Sequence, residues 1–324
     1  MTTATSEAVR SLDAVPGAEP VKRPRKSKHR ASWEEPATPV GLFFKGVALT
    51  IVAGAVLIPL YSIILTSISS KKTISEAGGM VFVPGEITFE AYSQLVSGGV
   101  VGRAALVSIG ITVVGTLIST VVSAMAAYGL SRPNTLWHRP ILFIFLITMF
   151  FGAGLIPTYL WISNLGLINS YWALILPGAV SAFNVLIMRN FFMGIDAGIT
   201  EAARIDGASD YRILGQIVMP ISRAVTAVIA LFYGVGYWNA FFNAVLYIRD
   251  TEKWPLQMVL RSYVLQGQPI PGSAGTSVDA ATGDIASLAV KMAVMVLALI
   301  PVVIVYPFVQ RNFTKGVIFG AIKG

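Results

Sequence analysis

The chain has 324 residues, of which 55 % are hydrophobic and 12 % charged, with a mean hydropathy of +0.71 and a formal net charge of +8. These values exclude an ordinary soluble domain, in which about a quarter of the residues are charged. With no Cys and only His29 and His138, the sequence lacks the usual ligands of a metal-dependent intramembrane hydrolase. It also lacks the Gly-x-x-x-x-Gly-Lys-[Ser/Thr] phosphate-binding pattern. We therefore expect an integral membrane protein that is not an enzyme and binds no metal or nucleotide.

Residues 1–40 differ in composition from the rest of the chain. They contain five Pro residues and a basic run at 22–30 with few aliphatic residues, which predicts a disordered tail. The basic run is interpreted as a topology signal that keeps this end in the cytoplasm, with anionic lipid or nucleic acid as alternative partners. Because no small-residue cleavage site follows the next apolar stretch, we expect an uncleaved anchor. Residues 41–324 are predicted to form one membrane domain.

Six apolar stretches are long enough to cross a bilayer, which requires about 20 residues. They cover approximately residues 42–65, 104–130, 140–162, 171–188, 224–248 and 288–309. Pro157, Pro177 and Pro301 are expected to interrupt three of these spans, and Gly152, Gly154 and Gly178 lie near the first two interruptions. Such breaks are typical of helices that bend during transport and also of static kinks.

The charged residues predict both orientation and energy source. Most of the 24 Lys and Arg residues lie before the first span, at 131–139, at 189–223 or after the last span, so both termini and the segment between spans four and five are predicted to be cytoplasmic. None of the 16 Asp and Glu residues falls within a span. This disfavours an ion-coupled secondary transporter, which usually carries ionisable residues inside its spans. A sodium site built from backbone carbonyls keeps that alternative open.

A charged segment between the fourth and fifth spans carries the most specific pattern in the chain. It reads Glu201-Ala202-Ala203, three residues, Gly207, nine residues, Ile217, one residue, Pro220. This pattern resembles the EAA loop of ABC-importer permeases, with Met219 where that family usually has Leu, a change of similar volume. The resemblance implies an all-α membrane protein with six transmembrane helices of the type I ABC-importer permease fold. It also implies a cytoplasmic coupling helix, at residues 200–220, that docks in a groove of a separate ATPase.

Local signals within this segment favour a helix. Thr200 is predicted to be the N-cap, which places the Glu201 carboxylate in the first turn, near the positive end of the helix dipole. Gly207 is expected within the helix, where its missing side chain lets a partner approach, and Ile205 and Tyr211 are the expected anchors. An amphipathic connector resting on the bilayer is the alternative. The resemblance assigns ATPase coupling to Glu201, Ala202, Ala203, Asp206, Gly207, Ile217 and Pro220.

Other segments resemble the carbohydrate-uptake permeases, the group of the smaller maltose-permease subunit. These segments are 81–84, 88–95, 127–132, 156–159 and 315–324, the last being most similar to the branch for complex oligosaccharides. The resemblance implies a subunit in the bacterial cytoplasmic membrane, surrounded by lipid, with a second homologous permease, two ATP-binding cassette subunits that hydrolyse the ATP, and an extracytoplasmic solute-binding protein. The predicted external loop at 249–287 is long for a connector, and its residues 266–279 are expected to reach toward the binding protein. A permease for a non-sugar solute remains an alternative.

Amide and aromatic side chains in the outer half of the fifth span are candidates for a sugar route. Asn239 and Asn243 are predicted to be i, i+4 neighbours on one helical face, and Trp238 and Phe242 to form a second such pair on an adjacent face. Amides would bond sugar hydroxyls and aromatic rings would contact sugar ring faces. Ordinary helix packing with an aromatic belt is the alternative interpretation. The candidate pathway residues are Asn184, Tyr237, Trp238, Asn239, Phe242 and Asn243.

Overall fold

The computed structural model describes residues 38–97, 99–132, 136–265 and 283–321. Over these ranges the fold is helical, with one isolated β-bridge between Ser69 and Ile87. The predicted disorder of the tail and the predicted reach of residues 266–279 toward a binding protein fall outside the described residues, apart from the last positions of the tail.

The α-helices, in chain order, are α1 (Pro39–Ser67), α2 (Lys71–Glu76), α3 (Glu90–Ser97), α4 (Val100–Leu130), α5 (His138–Phe150), α6 (Leu155–Asn164), α7 (Trp172–Ile175), α8 (Ala182–Met193), α9 (Ala197–Ile205), α10 (Asp210–Ile213), α11 (Met219–Ile221), α12 (Arg223–Trp238), α13 (Phe241–Tyr247), α14 (Leu256–Leu265) and α15 (Gly283–Ala321). Short 3-10 turns follow α7 at Leu176–Gly178 and α13 at Thr251–Lys253, and a π-helical turn, Leu214–Val218, joins α10 to α11.

Three helical stretches are long and apolar enough to cross a membrane alone: α1, α4 and Leu288–Pro307 of α15. Three further candidates are pairs of helices bent by 116° (α5 with α6), 49° (α7 and its 3-10 turn with α8) and 91° (Asp210–Ile221 with α12). The described residues therefore contain up to six spans if each bent pair counts as one. The stretch at 140–162 is interrupted, as predicted, but at 151–154, where the chain leaves the helix and Gly154 has a φ of +84°.

The prolines mark these breaks less well than expected. Pro177 lies in the 3-10 turn that interrupts the fourth span, as predicted. Pro157 lies in the first turn of α6, where no helical hydrogen bond to its nitrogen is needed, so it follows the break. Pro301 lies inside the continuous helix α15, so the prediction that it interrupts the last span is wrong. Neighbouring helices in a membrane protein allow such a proline without a break.

The chain divides into two compact units, residues 1–56 and 57–324. In the first, the described part of α1 exposes almost all of its apolar side chains, including Phe43 and Phe44 at 67 % each, as expected of a surface that lipid covers. In the second, α4 takes part in both apolar cores. One core joins α4 to α8 and α12, and the other joins the start of α4 to α3, α14 and α15.

Two tyrosines of α12, one helical turn apart, bond to the break in the fourth span. The Tyr237 hydroxyl donates to the Ile175 carbonyl at 3.0 Å, and the Tyr233 hydroxyl accepts from the Ser181 N–H at 2.9 Å. The same hydroxyls bond to serines of α4, Tyr237 to Ser119 at 2.8 Å and Tyr233 to Ser123 at 2.6 Å. Backbone groups released by a helix break need such partners in hydrocarbon. The break is therefore fixed to α4 and α12 by side-chain hydrogen bonds.

Replacing Tyr237 by phenylalanine should lower the stability of the protein in detergent. The change leaves the buried Ile175 carbonyl without its donor and removes the partner of Ser119, a cost of about 1–3 kcal/mol. Thermal unfolding of the purified protein measures the effect. Tyr306→Phe is the matched control, because the Tyr306 side chain is 60 % exposed. Equal melting temperatures for the two variants would contradict the assigned role of the hydroxyl.

Candidate functional site

The segment between the fourth and fifth spans begins at a different residue from the one predicted. Asp196 is the N-cap of α9, and its carboxylate accepts from the Gly198 N–H at 2.8 Å. Thr200 lies inside the helix and donates its hydroxyl to the Ala197 carbonyl at 2.9 Å, so the prediction of Thr200 as N-cap, with Glu201 in the first turn, is wrong. Both residue types suit an N-cap, but Asp196 comes first and its carboxylate reaches the free N–H.

Gly207 ends α9 instead of lying within it. Its φ is +79°, and two hydrogen bonds close the turn: Ala208 N–H to the Ala203 carbonyl at 2.9 Å, and Gly207 N–H to the Arg204 carbonyl at 3.0 Å. This is the Schellman pattern, in which glycine is favoured because a left-handed backbone is unstrained without a Cβ. The expectation that Gly207 lies within the helix is therefore wrong. The glycine sets the angle between α9 and α10.

This segment exposes apolar side chains on one side and packs against the core on the other. Ile205 is 87 % exposed and Tyr211 is 77 % exposed, large values for side chains of this size. Ala203 and Ala208 are half-buried against the core, and Ile213 is fully buried. The segment is thus packed against the core on one side, while Ile205 and Tyr211 remain uncovered on the other.

The other predicted coupling residues lie along the same segment. Glu201, Ala202 and Asp206 are exposed on α9, with Asp206 as its C-cap. Ile217 is half-buried in the π-helical turn, and the exposed Pro220 follows in α11. The structure therefore gathers the carboxylates and Ala202 on the exposed helix, whereas Ile217 contributes to the core beneath.

Asp210, the first residue of α10, is held by two arginines that the sequence interpretation did not single out. Its Oδ1 lies 2.8 Å from a guanidinium nitrogen of Arg132 and 3.5 Å from one of Arg204. The hydrogen bond from Arg132 keeps the pKa of the Asp210 carboxyl below its usual range, with Arg204 adding to the effect. The Arg132 guanidinium in turn lies 4.2 Å from the centre of the Tyr128 ring.

A cavity of about 270 Å³ adjoins this ion pair. It is lined by Met125, Tyr128, Gly129, Arg132, Asp210, Tyr211 and Leu214. Arg132 is the last residue of the 127–132 segment, which resembles carbohydrate permeases, and Asp210 lies within the charged segment, but their pairing spans 78 positions of the chain. A single sequence offers no signal for such a contact.

The candidate pathway residues in the fifth span do not share a helix. α12 ends at Trp238, and Asn239 caps it by donating its amide to the Val235 carbonyl at 3.0 Å. Because α13 begins only at Phe241, the predicted i, i+4 pairings of Asn239 with Asn243 and of Trp238 with Phe242 are wrong. A side-chain amide that bonds to its own backbone competes with helix continuation, which explains the break.

Burial separates these candidates further. Tyr237 and Trp238 are 8 % and 5 % exposed, and the Trp238 indole donates to the Ala298 carbonyl of α15 at 3.1 Å. Phe242 is 49 % exposed, Asn243 is half-buried, and Asn184 is 5 % exposed on α8. Tyr237 and Trp238 thus serve packing within this chain, whereas Phe242 and Asn243 offer accessible surface.

Comparison with known proteins gives one family. A family model described as "Binding-protein-dependent transport system inner membrane component" matches residues 133–319. The polygalacturonan/rhamnogalacturonan transport system permease protein YtcP of Bacillus subtilis (strain 168) is 41 % identical over 244 residues, 75 % of this chain and 85 % of that protein. Protein LplC of the same organism is 39 % identical over 284 residues, 87 % of this chain and 93 % of that protein.

A solved structure has the same fold. The chain from a crystal structure of a bacterial ABC transporter involved in the import of the acidic polysaccharide alginate superposes with a TM-score of 0.78 at 34 % identity, covering 85 % of this chain and 96 % of that chain. Helical fold, apolar spans and these matches define the class as the membrane permease of an importer, a transport component and not an enzyme. The chain belongs to the family of binding-protein-dependent transport system inner membrane components. The resemblance found in the sequence to ABC-importer permeases is confirmed.

Proposed function

We propose that the chain forms half of the translocation pathway of an ATP-driven importer for sugars or oligosaccharides. In this proposal α1, α4, the bent pairs α5–α6 and α7–α8, α12 with α13, and Leu288–Pro307 of α15 are the six transmembrane spans. Both termini lie in the cytoplasm, and α9 is the coupling helix. A second homologous permease completes the pathway, two ATPase subunits bind and hydrolyse ATP, and an extracytoplasmic protein delivers the solute. The chain itself binds no cofactor or metal.

The observation that carries the proposal is the uncovered apolar pair on the coupling segment. Ile205 and Tyr211 are 87 % and 77 % exposed, on either side of the Gly207 turn, in a stretch predicted to face the cytoplasm. Fully burying one such side chain in a partner's groove contributes about 1.5–3 kcal/mol. Glu201 and Asp206 are exposed beside them and supply charge at the rim of the contact. These features fit docking onto an ATPase.

The relatives favour an acidic carbohydrate as the solute. YtcP is named for polygalacturonan and rhamnogalacturonan, and the chain with a TM-score of 0.78 belongs to an importer of alginate, an acidic polysaccharide. Both kinds of polymer contain uronic acid units. We therefore assign uronic acid oligosaccharides to this importer. The candidate residues along the route are Phe242 and Asn243, which have accessible surface, and the buried amide residue Asn184.

Reconstitution of the complete complex in proteoliposomes tests the proposal. Uptake of labelled oligogalacturonides or alginate oligosaccharides should require ATP, both ATPase subunits and the binding protein, and should exceed uptake of maltotetraose. Uptake driven by a sodium or pH gradient in vesicles without the ATPase would overturn the proposal. ATP-driven uptake of maltotetraose alone would retain the importer and reject the acidic substrate.

A further inference from the structure

Arg132, the last residue of the 127–132 segment, has no part in the proposed docking of the coupling segment onto an ATPase. Arg132 lies just beyond the C-terminus of α4, whereas Asp210 opens α10, directly after the turn at Gly207. Their ion pair at 2.8 Å joins a helix of the membrane core to the coupling segment. Arg204 of α9 reaches the same carboxylate oxygen at 3.5 Å, so Asp210 bridges α4, α9 and α10.

The arginine at the α4 end of this bridge is constrained by its own helix. Its guanidinium lies 4.2 Å from the centre of the Tyr128 ring and also donates to the Tyr128 hydroxyl. Tyr128 is 8 % exposed and belongs to the core formed by α4, α8 and α12. Stacking on an aromatic ring fixes the direction of a guanidinium and leaves its outer donors free for a carboxylate. A movement of Asp210 therefore displaces the Arg132 side chain, which Tyr128 holds against the core.

The covalent chain connects the coupling segment to α8 on one side and to α12 on the other, whereas α4 joins it across 78 sequence positions. We infer that Arg132 and Asp210 are positioning residues that tie α4 to the coupling segment, so that movement of the segment reaches all three helices of the core together. The inference rests on the proposed function, since it needs an ATPase that moves the segment. We call this trio of Arg132, Asp210 and Arg204 the α4 clasp.

Exposure of the clasp decides which measurement is informative. The Asp210 and Arg204 side chains are 60 % and 46 % exposed, so water and salt screen the interaction and its removal should change stability little. A passive surface ion pair would then leave transport unchanged. A positioning role would instead lower the amount of solute moved per ATP hydrolysed while the complex still assembles.

The test compares Arg132→Gln, Asp210→Asn and the double variant in the reconstituted complex. Each single change should lower the ratio of oligosaccharide imported to ATP hydrolysed about two- to fivefold, the range expected for one partly exposed ion pair, with ATPase co-purification unchanged. The double variant should be no worse than either single variant, because both remove the same interaction. Arg132→Lys, which keeps the charge, should retain more of the ratio than Arg132→Gln.

Arg212→Gln is the matched control. Arg212 lies on α10 two residues from Asp210 and bonds to Gln216 at 2.9 Å, so its loss removes a neighbouring charge without touching the clasp. The inference is overturned if Arg132→Gln and Asp210→Asn keep the wild-type ratio, if their effects add, or if ATPase binding falls in parallel with uptake. A wild-type complex that shows no ATP-driven uptake would reject the proposed function first, and the clasp with it.

Discussion

Replacing Gly207 by glutamate is expected to abolish both ATPase co-purification and sugar uptake while leaving the protein inserted in the membrane. The left-handed backbone, with φ of +79°, costs a residue with a Cβ about 1–2 kcal/mol. Apart from the adjoining residues of the chain, no described atom lies within 4 Å of the position that the Cβ would take, so the new side chain projects into open space on the proposed docking surface. It places bulk and charge between Ile205 and Tyr211.

Two alanine variants separate backbone strain from obstruction of docking. Gly215, in the π-helical turn, also has open space around its Cβ position in the described structure, but its φ is not positive. Gly207→Ala should therefore weaken ATPase binding through the altered turn, whereas Gly215→Ala should resemble the wild type. A pull-down of the tagged ATPase measures all three variants. Wild-type co-purification and uptake by Gly207→Glu would refute the docking assignment.

The location of this segment could be predicted from the sequence, because spaced small residues, a glycine and a proline stand out between apolar spans. Its local geometry could not. Asp196 and Thr200 are both good N-caps, and only the fold decides which meets a free N–H. Gly207 is compatible with a helix interior or with a C-terminal turn, and the hydrogen bond from Ala208 to Ala203 selects the turn.

For the spans, too, the sequence predicts the location but not the local geometry. Apolar composition predicts which stretches are long enough to cross the bilayer, but it is insensitive to bends. The break predicted at Pro157 lies at 151–154, and the break at Asn239 is not predicted at all. A helix break depends on tertiary partners for the backbone groups that it releases. At the break in the fourth span these partners are Tyr233 and Tyr237 of α12. The Ser119–Tyr237 contact joins residues 118 positions apart, a separation at which local sequence patterns carry no information.

Within the membrane core, we expect substitution of Gly115 to cause the largest loss of stability. A Cβ there would lie 2.8–2.9 Å from the Cε2, Cδ2 and Cζ atoms of Tyr237. The ring has little room to move away, because its hydroxyl is held by Ser119 and Ile175 and its other edge is close to Gly178. Gly115→Ala should therefore lower stability by about 1–3 kcal/mol, and Gly115→Leu should prevent recovery of folded protein.

Gly110→Ala, on the same helix, isolates this steric cause. Gly110 is exposed, and within the described structure no atom other than those of its chain neighbours and its own helix backbone lies within 4 Å of its Cβ position, so the added methyl group raises helix propensity without a clash. Its melting temperature should equal or exceed that of the wild type, while that of Gly115→Ala falls. Equal melting temperatures for the two alanine variants would mean that the Tyr237 ring can move, and that the hydrogen bonds at the break in the fourth span do not fix its position. A fall for Gly115→Ala that Tyr237→Phe relieves would instead identify those hydrogen bonds as the constraint, since the phenyl ring is free to shift where the phenol is not.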